Sequence, residues 1–274
     1  MILPMMRWVD VEKAFNRALL YSFSWTKALL VFPSLVLCGI LIVFCRALYF
    51  GASEWMGMSL VFLPILLSSA VLLSVGVLVI RMYQLELKQV SWSLKKIFLG
   101  SLDAVLGTSY LSIPPILLYL LLWMVLGIFF LMKEIPAVGH VFNTILLFVP
   151  FLLIFCSILL CVFSVALLFF VAPAAAKFSA KRLQLAKVVL SLFRRDMFGS
   201  LLLFFIALFP IGLLSLLLTW AAALTNVNFS YGERSWTLAL EWFFMMFPFA
   251  AFLTPAVIFF FQFAVEATRL RASE

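Results

Sequence analysis

The chain has 274 residues, of which 67% are hydrophobic and only 11% charged, and its mean hydropathy is +1.25. A water-soluble domain is about 45–50% apolar and about 25% charged, so the charges needed to cover a soluble surface are missing. A disordered chain is excluded as well, since it needs low hydrophobicity and high net charge, and the formal net charge of +8 is accounted for below without nucleic acid.

A helix needs about 20 mainly apolar residues to cross the hydrocarbon core. Six runs qualify, at 28–50, 59–80, 105–131, 141–172, 198–224 and 238–265, and they predict an all-α, polytopic transmembrane helix bundle. The first run is apolar for longer than the roughly 7–15 residues of a signal-peptide core. It is followed by Cys45, Arg46 and Ala47 rather than a small-residue cleavage site, so it reads as a retained span. The fourth is the longest, and at about 1.5 Å per residue it exceeds a perpendicular crossing. No polar turn divides it, and Pro173 is expected to end it, because helices usually stop before a proline. The longest polar stretches, 1–27, 81–104 and 173–197, are each below the roughly 40 residues under which a domain rarely folds unaided. Residues 1–274 therefore read as a single membrane domain with no soluble catalytic or nucleotide-binding unit.

Basic residues sort between alternate loops. One side holds Arg7, Lys13, Arg17 and Lys27, then Arg81, Lys88, Lys95 and Lys96. It also holds Lys177, Lys181, Arg182, Lys187, Arg194 and Arg195, and finally Arg269 and Arg271. The other side holds only Arg46, Lys133 and Arg234. Sixteen against three places both termini in the cytoplasm by the positive-inside rule.

Prolines suggest an internal threefold repeat, with units of about 1–80, 81–172 and 173–274. The odd-numbered runs carry Pro33, Pro114–Pro115 and Pro210, and the even-numbered runs carry Pro64, Pro150 and Pro248. Pro33, Pro64, Pro115, Pro150, Pro210 and Pro248 are the expected kink positions. Ahead of the first hairpin, Val11, Ala14, Phe15, Ala18 and Leu19 share one helical face. Leu185, Val188, Val189, Leu192 and Phe193 repeat that spacing before the third, and Val90, Leu94, Ile97 and Phe98 follow it loosely before the second. Each unit thus reads as a basic amphipathic helix on the cytoplasmic surface followed by a hairpin of two proline-bearing spans.

The stretch from Phe169 to Leu218 combines a span ending in Pro173–Ala174, a basic segment with Ser191, Arg194 and Arg195, and a new apolar run. In this it resembles bacterial six-span membrane families of poorly known function, including the membrane domain found beside glycerophosphodiester phosphodiesterases. The resemblance implies the same architecture, a lipid context and a bacterial cytoplasmic (inner) membrane.

Chemistry-bearing residues are sparse. Ionisable groups inside a membrane are the default functional signal, and none lies near the centre of a run; Arg46 and Glu241 sit near run ends, where snorkelling explains them. His140 is the sole histidine, too few for a zinc site. Cys38, Cys45, Cys156 and Cys161 lie in apolar runs without a C-x-x-C pair and read as small hydrophobes. Asn143 and Gln262 read as interhelical hydrogen-bonding amides, and Ser68, Ser69, Ser74 and Gly76 as a packing stripe. No P-loop, GxSxG or H-E-x-x-H motif occurs, so catalytic residues, metal and cofactor are not expected. The basic residues Lys177, Lys181, Arg182, Lys187, Arg194, Arg195, Lys95 and Lys96 are candidates for binding lipid headgroups, each attracted to an anionic surface by about 1 kcal/mol. The expected activity is non-enzymatic: lipid handling, envelope organisation or the scaffolding of a membrane complex, with anionic lipids and a membrane protein as partners and no nucleic acid. The alternative is a transporter or permease subunit for a neutral or amphiphilic substrate.

Overall fold

The computed structural model describes residues 8–49, 54–89, 94–133, 148–177, 197–225 and 236–272. Among them every regular element is a helix: α1 (Trp8–Ser22), α2 (Trp25–Tyr49), α3 (Glu54–Leu87), α4 (Leu94–Lys133), α5 (Phe148–Lys177), α6 (Met197–Leu224) and α7 (Trp236–Ala272). Six contain segments long and apolar enough to cross a membrane: Trp25–Tyr49, Ser59–Leu87, Ser112–Met132, Phe148–Ala176, Phe198–Leu224 and Leu240–Leu270. Their outer faces expose large apolar side chains such as Leu117, Phe151, Phe205, Phe209 and Leu216. A belt of that size is stable only against lipid, and the chain is an integral membrane protein.

The bundle has an inner and an outer set. Helices α3, α5 and α7 contact one another pairwise, α2 lies on α3 and α7, α4 on α3 and α5, and α6 and α1 on α7. Helix α6 also reaches α5, where the rings of Phe169 and Phe204 are 5.7 Å apart. Spans adjacent in sequence (α2 with α3, α4 with α5, α6 with α7) are therefore also adjacent in space. The main core is the meeting place of the inner helices and includes Leu73, Val77 and Ile80 of α3, Phe169 and Ala172 of α5, and Ile258 and Phe261 of α7. Gly76 permits the close approach of α3 to α7, since a Cβ there would stand 2.2 Å from a ring carbon of Phe261.

Helix α1 buries Val11, Ala14 and Ala18, and Phe15 packs edge-on against Phe259 and Phe263 of α7 at 4.9 and 6.2 Å. Leu19 of the same predicted face is exposed. The segment ahead of the third span differs from expectation: from Leu94 onward it is continuous with that span in α4, while Val90 and residues 185–193 lie outside the described residues.

Pro173 does not end its helix, for α5 continues to Lys177. The residues around it, Ala172 and Ala174 to Ala176, are buried in the core. Alanine favours helix, and packed neighbours let membrane helices tolerate an internal proline. Pro33, Pro64, Pro115, Pro210 and Pro248 likewise lie inside helices, joined by Pro255, while Pro150 falls in the first described turn of α5. Of the fourth run, residues 141–147 lie outside the described residues. The second and sixth spans are longer than expected, reaching Leu87 and Leu270.

Candidate functional site

Antiparallel helices α2 and α7 leave a cleft of about 260 Å³ between them. Its α2 wall is Leu35, Cys38, Gly39, Ile42 and Val43, at spacings of three and four that define one helical face. Trp242, Met245, Met246, Phe249, Ala250 and Leu253 give α7 the matching face. The lining is apolar almost throughout, and the Cys38 thiol is turned to the Ser68 carbonyl on α3 at 3.9 Å. Gly39 leaves the floor low: a Cβ there would stand 3.0 Å from Met246 Sδ. From Leu35 to Val43 the α2 wall rises about 12 Å, a good part of one leaflet of a hydrocarbon core about 30 Å thick. Unbranched, polarisable methionines suit an adaptable apolar surface. This cleft can hold hydrocarbon.

At the end of the cleft nearer the α2–α3 connection, the Arg46 guanidinium lies over the Trp242 ring, 3.3 Å from its centroid. Arg46 is only 7% exposed. A smaller cavity of about 40 Å³, bounded by Arg46, Tyr49, Gly57 and Pro64, adjoins the main cleft and shares Ile42 and Trp242 with it.

A second polar assembly sits at the opposite end of α2, beside the C-terminal end of α7. Lys27, fully buried, donates to Glu86 Oε2 at 2.5 Å and to the Tyr21 carbonyl at 3.3 Å. Its ammonium also lies 5.7 and 5.4 Å from the ring centroids of Tyr21 and Tyr83, a favourable cation–π geometry. The Tyr83 hydroxyl donates to Glu266 Oε1 at 2.8 Å, and Arg17 and Arg269 reach the Glu266 carboxylate at 3.4 and 3.3 Å. Gln262, fully buried, donates from Nε2 to the Tyr21 carbonyl at 3.0 Å, so this amide hydrogen-bonds between segments as expected. The assembly ties α1 and the start of α2 to α3 and α7. It is built from charges paired with one another, so it reads as a clasp rather than a reaction centre.

Most of the headgroup-binding candidates fall outside the described residues. Lys181, Arg182, Lys187, Arg194 and Arg195 lie outside the described residues, as do His140 and Asn143. Lys95, Lys96 and Lys177 lie on described helices, but their side chains do not belong to the described set. Cys38, Cys45 and Cys161 are buried and Cys156 half-buried, all as free thiols. The stripe on α3 divides its tasks: Gly76 meets Phe261, while the Ser69 and Ser74 hydroxyls return to carbonyls of their own helix.

Sequence reasoning missed Lys27, Glu86 and Glu266 because the expected span boundaries left Lys27 and Glu86 in loops and placed Glu266 just past a run end. The readable signal was Gln262 and Glu266, four apart and hence on one face of an otherwise apolar segment. The cleft itself was legible only as two helical faces whose pairing the sequence does not announce. Compared with protein-family models, with curated proteins and with solved structures, the chain has no match.

Proposed function

We propose that this integral membrane protein handles or organises lipid without catalysing a reaction, and that the α2–α7 cleft is where it holds an acyl chain. The cleft carries this reading: an apolar slot beside the bilayer, a leaflet-scale wall, a glycine floor and a thioether-rich lining. In this reading both termini face the cytoplasm of a bacterial inner membrane, because sixteen of nineteen basic residues fall on that side. The basic residues Lys95, Lys96, Lys177, Lys181, Arg182, Lys187, Arg194 and Arg195 then attract anionic headgroups there, and a membrane-protein partner is served by the same scaffold.

Passage of an amphiphile is the second reading. It is favoured by Pro33 and Pro248, which lie in the two helices that flank the cleft, two positions before the lining residue Leu35 and one before Phe249. Proline-interrupted spans are where many transporters place their sites.

Native mass spectrometry of gently extracted full-length protein tests the primary reading. The wild type is expected to retain lipid stoichiometrically, and Gly39→Leu, which fills the cleft floor, is expected to lose at least one bound lipid. A wild type without lipid, or a Gly39→Leu variant with an unchanged lipid count, overturns it. Transfer of labelled lipid between vesicles by the reconstituted wild type, abolished in Gly39→Leu, selects the second reading.

A further inference from the structure

The two walls of the cleft carry matching bend points. On α2, Pro33 stands two positions before Leu35, the first lining residue; on α7, Pro255 stands two positions after Leu253, the last. Each proline lacks the N–H that would reach the carbonyl four residues back, Leu29 on α2 and Ala251 on α7, and so interrupts the helix ladder. Beside each proline a hydroxyl turns back on the preceding turn. Ser34 donates to the Leu30 carbonyl at 2.9 Å and Thr254 to the Ala250 carbonyl at 2.7 Å, a contact that often bends helices. The clasp lies beyond both points, with Lys27 ahead of Pro33 and with Gln262 and Glu266 after Pro255. Burial changes at the same level of α7. Every residue from 256 to 267 is buried, whereas between 240 and 253 only Met246 and Ala250 are. One half of α7 is thus locked in the core. The half that walls the cleft turns Phe244 and Phe252 outward at 67 and 60% exposure, and segments with few buried apolar side chains are the ones that move.

We infer that residues 240–253 of α7 form a jaw hinged at Thr254–Pro255, which swings away from α2 to admit an acyl chain sideways from the bilayer while the clasp stays closed. The inference rests on the acyl-cleft reading and adds the route of entry and the moving part. Entry from the clasp end is blocked, because Lys27 and Gln262, both fully buried, converge on the Tyr21 carbonyl. At the cleft floor the jaw meets α2 through Met246 against Gly39, a van der Waals contact that parts more easily than a buried ion pair. Pro248 lies within the jaw, but burial does not change there as it does at Pro255. Pro33 and Ser34 give the α2 wall its own point of bending at the same end of the cleft.

The test measures distances between nitroxide labels on the full-length chain in detergent, before and after phosphatidylcholine is added. Labels are placed at Leu37→Cys with Phe244→Cys, on exposed positions of the two walls, and at Leu29→Cys with Thr268→Cys, beside the clasp. The four native cysteines are replaced by alanine in a background that still retains lipid. The wall distance is expected to lengthen when lipid is added, and the clasp distance to stay fixed. A fixed wall distance overturns the inference. So does an equal change beside the clasp, which would mean that the helices separate as whole rods. Gly39→Leu distinguishes the two possible failures. If it removes no bound lipid by native mass spectrometry, the acyl-cleft reading fails; if it removes lipid while the wall distance stays fixed, the hinge alone fails.

Pro255→Ala supplies a kinetic arm that needs no labels. Alanine restores the missing N–H and suits a helix interior, so the bend point stiffens. Protein loaded with chain-deuterated phosphatidylcholine is chased with the unlabelled lipid, and the cleft site is taken as the binding that Gly39→Leu removes. Pro255→Ala is expected to hold the same number of lipids as wild type but to release the deuterated one about fivefold more slowly, the worth of one helix hydrogen bond that must break as the jaw opens. Release at the wild-type rate overturns the inference. The distance measurement keeps every native proline, so it stands even where Pro255→Ala does not fold.

Discussion

Glu86→Gln is expected to destabilise the protein by about 3–5 kcal/mol, the usual cost of removing one partner from a buried ion pair. The burden falls on Lys27. Its side chain is fully buried and cannot reach water, while Glu86 keeps 18% exposure. Lys27 also lies in the first turn of α2, where the positive end of the helix dipole opposes a cation. The Tyr21 carbonyl at 3.3 Å and the two tyrosine rings offset part of this, but among the described residues only Glu86 supplies the compensating charge at hydrogen-bond distance. Denaturant titration in mixed micelles, or the thermal midpoint of the detergent-solubilised protein, reads the loss. The double variant Lys27→Met/Glu86→Leu is expected to recover most of it, because an apolar pair of similar volume removes the desolvation cost along with the attraction. If Glu86→Gln were as stable as wild type, Lys27 would have to be solvated, contrary to its burial, or to sit there as the neutral amine.

The same pair shows where sequence reading reaches its limit. Span number and approximate position follow from apolar run length, because each crossing is forced to satisfy its own backbone in lipid. Lys27, Arg81 and Glu86 were read as loop charges because a hydropathy run stops at the first cluster of ionisable residues. In the fold, Lys27 and Glu86 neutralise each other across 59 residues of sequence, so α3 continues as a helix for two more turns. Complementarity over that distance has no local signature. Gln262 was legible, since a lone amide in an apolar run must find a partner, although its partner, the Tyr21 carbonyl, was not. The reading of Pro173 as a terminator failed because the local preference before proline is overruled when alanines on both sides are buried in a core. For the cleft, Gly39 and Trp242 are 203 positions apart, and nothing within either helix states that α2 packs on α7.

Gly76→Ala is expected to destabilise the bundle by about 1–3 kcal/mol through overpacking, although alanine is the better helix former by about 1 kcal/mol. The built Cβ would lie 2.2, 2.5 and 2.7 Å from three ring carbons of Phe261, far inside van der Waals contact. Phe261 is itself only 1% exposed and its ring packs edge-on against Phe260 at 5.4 Å, so it has no empty space into which to swing. The strain must therefore be relieved by separating α3 from α7, the two most buried spans. Gly76→Leu is expected to prevent recovery of folded protein altogether. Shortening the opposing ring should relieve the clash: Gly76→Ala/Phe261→Leu is expected to be less destabilised than the sum of its single variants, with a coupling of roughly 1 kcal/mol, as found for residues in direct contact. Strict additivity would mean that the two positions do not touch. A net gain in stability from Gly76→Ala alone would mean that helix propensity decides at this site and that α3 and α7 stand further apart than the inner core requires.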